Sequence, residues 1–136
     1  MKTTILLGTL KSQERSNTET LSEFFASQIR QQGSDCEIIK LVNYNILPGT
    51  YTNMGEGDDW PVILDKIIAS QVVIFTTPIW WGNHSSLIQK IIERLDHIHD
   101  DILAGKKSIL EGKAAGILIT GDSDGAQHII GNLCNF

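Results

Sequence analysis

Four short apolar runs, each closed by a polar or glycine-bearing break and followed by a change of hydrophobic period, decide what this chain can fold into. Thr3 to Leu7 is the first, and it stops at Gly8. From Thr18 the spacing turns helical, through Leu21, Phe24, Phe25, Gln28, Ile29 and Gln32, until Gly33 ends it. Cys36 to Val42 is the second strand. Asn43 to Asp59 is a long loop with Pro48-Gly49, Gly55 and Gly57, and loops of this length in compact domains are often functional. Asp58 and Asp59 are candidate caps for a second helix, with Pro61 in its first turn and Ile63, Leu64, Ile67 and Ile68 buried. Val72 to Thr77 is nearly all apolar, as suits a central strand covered on both faces. Ser85 or Ser86 can cap a third helix with the stripe Leu87, Ile88, Ile91, Ile92 and Leu95. Lys113 to Thr120 is the fourth strand, Gly121 to Gly125 a turn, and Ala126 to Phe136 a helical start. This alternation predicts an α/β fold with a doubly wound parallel sheet and right-handed crossovers, as one domain over residues 1–136.

Composition narrows the function. Apolar residues make up 41% and charged residues 20% of 136, which is globular rather than disordered. A net charge of −5 argues against nucleic acid as a partner, which calls for a basic face. It leaves an anionic ligand open, because a phosphate responds to local groups. No signal peptide is visible, and the most apolar stretch, Ile67 to Trp81, is broken by Ser70, Gln71, Thr76, Thr77 and Pro78. That stretch is shorter than the roughly 18 residues of a membrane span, so no membrane is expected. Cys36 and Cys134 stand far apart, which fits a reducing cytoplasm better than a disulfide scaffold. The four histidines show no metal-ligand spacing.

In open α/β sheets ligands sit at the carboxyl ends of the strands, where strand order reverses. Here that point lies between the first and third strands. The first loop, Gly8-Thr9-Leu10-Lys11-Ser12-Gln13-Glu14-Arg15-Ser16-Asn17-Thr18, leads into a helix N-terminus, whose N–H groups and dipole favour phosphate. Thr9, Ser16, Asn17 and Thr18 offer uncharged donors, and Lys11 or Arg15 could offset part of the charge. Ser16 or Asn17 could equally serve as a plain helix cap. The loop is neither a Walker loop nor the dinucleotide glycine pattern. A second loop, Pro78-Ile79-Trp80-Trp81-Gly82-Asn83, supplies an aromatic face, backbone donors and an amide. Its tryptophans could instead form a plug over the sheet end. Thr120 to Gly125 brings further backbone donors and Asp122 to the same end. Paired, the loops point to a ring-bearing mononucleotide.

Gly8-Thr9, Ser16-Asn17-Thr18, Thr77-Pro78-Ile79-Trp80-Trp81-Gly82-Asn83, Glu93-Arg94-Leu95-Asp96, Gly112-Lys113-Ala114 and Thr120-Gly121 together resemble the NADPH-dependent FMN reductase group of the flavodoxin-like superfamily. The likeness runs through essentially the whole chain. It implies FMN phosphate at Thr9, Lys11, Ser16, Asn17 and Thr18, and the isoalloxazine against Pro78, Ile79, Trp80, Trp81, Gly82 and Asn83. Thr120 and Gly121 would lie on the other side. It implies NAD(P)H as co-substrate and a quinone, flavin or other small electron acceptor as partner. No catalytic side chain is needed, because the flavin carries the chemistry. Some members hold an iron–sulfur cluster or redox thiol after the second strand; Pro48 to Gly55 here contains no cysteine. His84 stands where Met is more usual.

A flavodoxin-type sheet has five strands in order 2-1-3-4-5. The fifth has no counterpart in this chain, so the expectation is order 2-1-3-4, an apolar edge at the fourth strand, and a C-terminally shortened product. A homodimer is the assembly this leaves open. The competing readings are a non-enzymatic electron carrier of flavodoxin type, and an inactive truncated form. A phospho-receiver domain would need acidic residues where Gly8-Thr9 and Thr77-Pro78 stand.

Overall fold

The four apolar runs become four parallel strands. The computed structural model describes residues 1–121 and 124–136. In it, β1 (Lys2–Leu7), β2 (Asp35–Lys40), β3 (Val72–Pro78) and β4 (Ala114–Thr120) form one sheet in the order β2-β1-β3-β4. The register sets Ile5 of β1 between Ile38 and Ile74, and runs from Val72 against Ala114 to Pro78 against Thr120. Strand order reverses between β1 and β3, so the carboxyl ends of those strands open a crevice. The turn Gly121 to Gly125 expected after β4 contains Asp122 and Ser123, which lie outside the described residues.

Helices cover both faces. α1 (Asn17–Gln31) packs on one, against Ile5, Cys36 and Ile74, with Ala26 fully buried and Phe25 and Ile29 beside it. On the other face lie α2 (Trp60–Ile68), α3 (Ser86–Leu95), α4 (His97–Leu103) and α5 (Ala126–Asn135). Leu6, Phe75, Trp60, Ile63, Ile67, Ile88, Ile91 and Ile129 make the centre of that core. Each such side chain contributes about 1.5–3 kcal/mol when buried.

The helices differ in places from the sequence expectation. The buried stripe of α1 is Thr18, Ser22 and Ala26, while Phe24 faces solvent. Small residues bring the helix axis close to the sheet, which a stripe of bulky residues would prevent. Ile68 points outward, because Ile63, Leu64 and Ile67 already occupy the inward face of α2. Of the two candidate caps of α2, Asp59 stands at the cap position and makes no side-chain cap bond, whereas the Asp58 carboxylate accepts from the Trp60 N–H at 3.2 Å. β2 ends at Lys40, and Leu41–Asn43 form a single 3-10 turn. β4 begins at Ala114, leaving Lys113 outside it, where its ammonium bonds the Ile68 and Ser70 carbonyls at the end of α2. α4, which follows α3 after Asp96, has no counterpart among the elements expected from the sequence.

Candidate functional site

A cleft of about 270 Å³ opens at the carboxyl ends of β1, β3 and β4. Thr9, Leu10, Lys11, Arg15, Ser16, Asn17 and Thr18 form one wall; Pro78, Ile79, Trp80, Thr120 and Gly121 form the other. Gly8 is what allows the first wall to turn here. A Cβ at this position would come 2.6 Å from Ile88 Cγ1, 2.7 Å from Ser85 Oγ and 2.9 Å from the Thr76 carbonyl, to which Gly8 N–H donates.

The helix start is only partly satisfied from within. Ser16 caps α1, its hydroxyl accepting from Glu19 N–H at 3.1 Å and its carbonyl from Thr20 N–H at 2.9 Å. The N–H groups of Asn17 and Thr18 have no acceptor among the described residues. Two unmatched donors at a helix N-terminus attract an anion, and the helix dipole adds to the effect. Ser16 therefore caps the helix and lines the cleft as well. Lys11 donates to Glu14 at 3.0 Å, and Arg15 pairs with Glu23 of α1. The bond from Lys11 and its positive charge hold the Glu14 carboxyl below its ordinary range.

The opposite wall rests on a two-residue turn. Trp80 and Asn83 exchange backbone hydrogen bonds of 2.7 and 2.9 Å, and Ile79 N–H donates to the Thr120 carbonyl at 2.8 Å. Trp81 and Gly82 occupy the central positions with φ of 49 and 80, the pattern of a type I′ turn. Trp80 lines the cleft and is half exposed, whereas the Trp81 indole is 98% exposed. Trp81, Gly82 and Asn83 are not on the cleft wall; turning the chain through Trp81 and Gly82 carries the indole away from it. Asn83 instead lies 3.1 Å from His128 Nε2 on α5. Gly125 is pressed against Gly82, where a Cβ would meet its Cα at 2.6 Å.

Hydroxyls tie the walls together beneath the cleft. Thr18 Oγ1 and Thr120 Oγ1 are 2.7 Å apart. Ser22 Oγ, fully buried, lies 2.8 Å from the Thr18 carbonyl and 3.2 Å from Thr76 Oγ1. Thr18, read from sequence as a phosphate donor, thus also joins α1 to β4. Leu10 is a wall residue the sequence reading passed over; an apolar side chain in a polar loop was the available signal.

None of the cleft residues comes from the loop between residues 43 and 59. That loop is pinned to α3 instead. Arg94, buried, donates to the carbonyls of Leu47 at 2.8 Å and Thr52 at 3.3 Å, and to Asp58 Oδ2 at 2.7 Å. Asp58 also accepts from the N–H groups of Leu47, Met54 and Trp60. Burial raises the Asp58 carboxyl, but the Met54 N–H, Arg94 and the other donors outweigh it and hold the group below its ordinary range. The guanidinium stands 5.7 Å from the Trp60 ring centroid. Within Glu-Arg-Leu-Asp, Arg94 is therefore the anchor of that loop. Among the described residues, no cluster of His, Cys, Asp or Glu is arranged to hold a metal ion, and no helix is long and apolar enough to cross a membrane.

A strand-order switch, a helix N-terminus with two unmatched N–H groups among the described residues and an aromatic facing wall mark a flavodoxin-like α/β fold with a cleft at the switch point. The particular family follows from comparison: residues 1–135 match the family model described as NADPH-dependent FMN reductase, and the chain belongs to that family. It is 30% identical to 8-demethyl-8-aminoriboflavin-5'-phosphate synthase of Streptomyces davaonensis, over 99% of this chain and 56% of that protein. It is also 30% identical to a stretch of a Mycobacterium bovis protein named divalent metal cation transporter MntH, covering 93% of this chain but 19% of the transporter. The solved structure of RosB with bound 8-demethyl-8-formylriboflavin-5'-phosphate superposes with a TM-score of 0.83 at 27% identity, over 99% of this chain and 57% of that one. The chain thus spans little more than half the length of the flavin-handling relatives it matches.

Proposed function

We propose that residues 1–136 form a single FMN-binding unit of an NAD(P)H-dependent oxidoreductase that passes electrons to a quinone, a flavin or another small acceptor. The observation that carries this reading is the single cleft that joins the unmatched N–H groups of Asn17 and Thr18 to the apolar and aromatic wall of Pro78, Ile79 and Trp80. The donor set fits the group: hydrogen-bond donors and two cations at one end, a flat apolar surface at the other. Bound FMN would supply hydride and electron transfer. The chain's own contribution is binding and orientation. Asn17 and Thr18 N–H, with the α1 dipole, hold a phosphate. Lys11 and Arg15 offset its charge. Trp80 and Ile79 would offer an apolar surface for a ring, and Thr120 and Gly121 line the same cleft. Cys36 and Cys134 are both unpaired thiols, which supports a reducing, cytoplasmic setting.

The absorbance spectrum of the purified chain, with and without added FMN, tests the reading. A flavin band that shifts on binding, together with FMN-dependent oxidation of NAD(P)H, is the expected result. A chain that neither carries nor takes up FMN overturns it.

A second reading has its own support. A curated relative is named as the synthase of a riboflavin-5'-phosphate derivative and a similar solved structure holds such a derivative, which supports the flavin phosphate itself as this chain's substrate. Mass analysis of FMN after incubation separates the two: a cofactor is recovered unchanged, a substrate is not.

A further inference from the structure

Both cations of the cleft are already spoken for. Lys11 and Arg15 line it, yet Lys11 Nζ is 3.0 Å from Glu14 Oε2 and the Arg15 guanidinium is paired with Glu23. Neither carboxylate lines the cleft. Glu14 belongs to the loop itself and Glu23 to the second turn of α1. Two positive charges at the cleft are thereby matched by two negative ones that do not line it. The N–H groups of Asn17 and Thr18 are among the cleft donors with no acceptor in the described residues.

On the flavin reading above, we infer that Glu14 and Glu23 are built-in competitors of the ligand's phosphate: they hold Lys11 and Arg15 until a phosphate dianion displaces them, and so set how tightly and how selectively the phosphate end is bound. All four side chains are substantially exposed, so each exchange is between solvated partners and its effect is small. The exchange concerns charge at the phosphate alone. A ring without a phosphate leaves both pairs intact and gains nothing from their removal. The opposite role is equally concrete: the carboxylates could hold the cations in place for the phosphate, in which case removing them weakens binding.

Glu14→Gln and Glu23→Gln, singly and together, decide between these roles when titrated with FMN and with riboflavin, which shares the ring and lacks the phosphate. Competition predicts FMN binding about two- to fivefold tighter for each single variant, with the effects combining in the double variant. Riboflavin affinity stays as in the unmodified chain, and thermal midpoints confirm that the fold is intact. Lys11→Gln, as a control, weakens FMN and leaves riboflavin alone. Unchanged or weaker FMN binding in the Gln variants overturns the inference, and so does equal tightening of FMN and riboflavin. If the unmodified chain binds riboflavin and FMN equally, the phosphate end is not recognised and the inference falls while a flavin site stands. If it binds neither, the flavin reading itself fails and takes the inference with it.

Discussion

At the scale of single residues, the turn at Trp81 works against local backbone preference. Its φ of 49 lies in the left-handed region, which a bulky side chain adopts at a cost, and its indole makes little contact with the protein to compensate. Asn-Gly is the pair that such a turn favours. Trp81→Asn is therefore expected to raise stability by about 1 kcal/mol, read as a higher thermal midpoint. An unchanged or lower midpoint means that the indole packs against something. Gly8 is the reverse case. The neighbours of an added Cβ include the Thr76 backbone carbonyl at 2.9 Å, which cannot swing aside as a side chain can. Gly8→Ala is expected to lose about 1–3 kcal/mol in chemical denaturation, and to weaken FMN binding because the wall carrying Thr9 must shift. The sequence marks Gly8 as the end of a strand, but the need for glycine there comes from Thr76, Ser85 and Ile88, far away along the chain. The strain at Trp81 was not visible in the sequence, because Trp-Trp-Gly reads as an aromatic platform until the backbone turn is known.

Among the elements, the long loop and α3 depend on one ion pair. Arg94 and Asp58 are both fully buried, and each is surrounded by backbone partners from residues 47 to 60. Arg94→Met removes the cation and leaves the buried Asp58 carboxylate with its backbone N–H donors alone. The expected loss is about 3–5 kcal/mol, the range for a buried pair broken on one side. Asp58→Asn should show the pH dependence of the same contact. The folded Asp58 titrates below its unfolded value, so its contribution is present above the unfolded pKa, about 3.9 for an aspartate. It disappears as pH falls through the still lower folded value. The stability difference between the native chain and Asp58→Asn is thus expected to be constant from pH 7 to 5 and to shrink below about pH 4. A difference that is the same at pH 3 and pH 7 removes Asp58 from the anchor. Sequence periodicity could find α3 through Ile88, Ile91 and Leu95, since those positions obey helical spacing. It could not find the anchor, which joins an arginine of α3 to a loop aspartate 36 positions away. The same limit applies to α1. Its real buried stripe of Thr18, Ser22 and Ala26 is small and partly polar, so hydrophobic spacing picked out Phe24 instead.

On the scale of the whole molecule, the alternation of strand and helix was sufficient to place the crevice, because parallel strands with crossovers leave one reversal of order, between β1 and β3. The edges differ in a way that the same alternation implies. β2 carries Asp35, Glu37 and Lys40, whereas β4 reads Ala-Ala-Gly-Ile-Leu-Ile-Thr with no charge. Charged edges resist pairing with other strands, and uncharged ones do not. What the alternation could not supply is how the cleft couples to the rest of the sheet. Thr18, Ser22, Thr76 and Thr120 are scattered through the sequence and meet only because α1 lies close over β3 and β4. A ligand that spans the two walls should therefore stabilise the entire sheet, not merely the loops. At a hundred times its dissociation constant, a ligand specific for the folded chain adds about 2.7 kcal/mol. FMN at that excess is expected to raise the thermal midpoint of the whole transition and to slow amide exchange in β3 and β4 as well as at the cleft. Adenosine monophosphate brings a phosphate but a smaller ring, and engages the α1 end without filling the space beside Ile79 and Trp80. It should shift the midpoint far less at equal concentration. Equal shifts from the two nucleotides would mean that the phosphate end alone provides the binding, and that the aromatic wall does not select the ring.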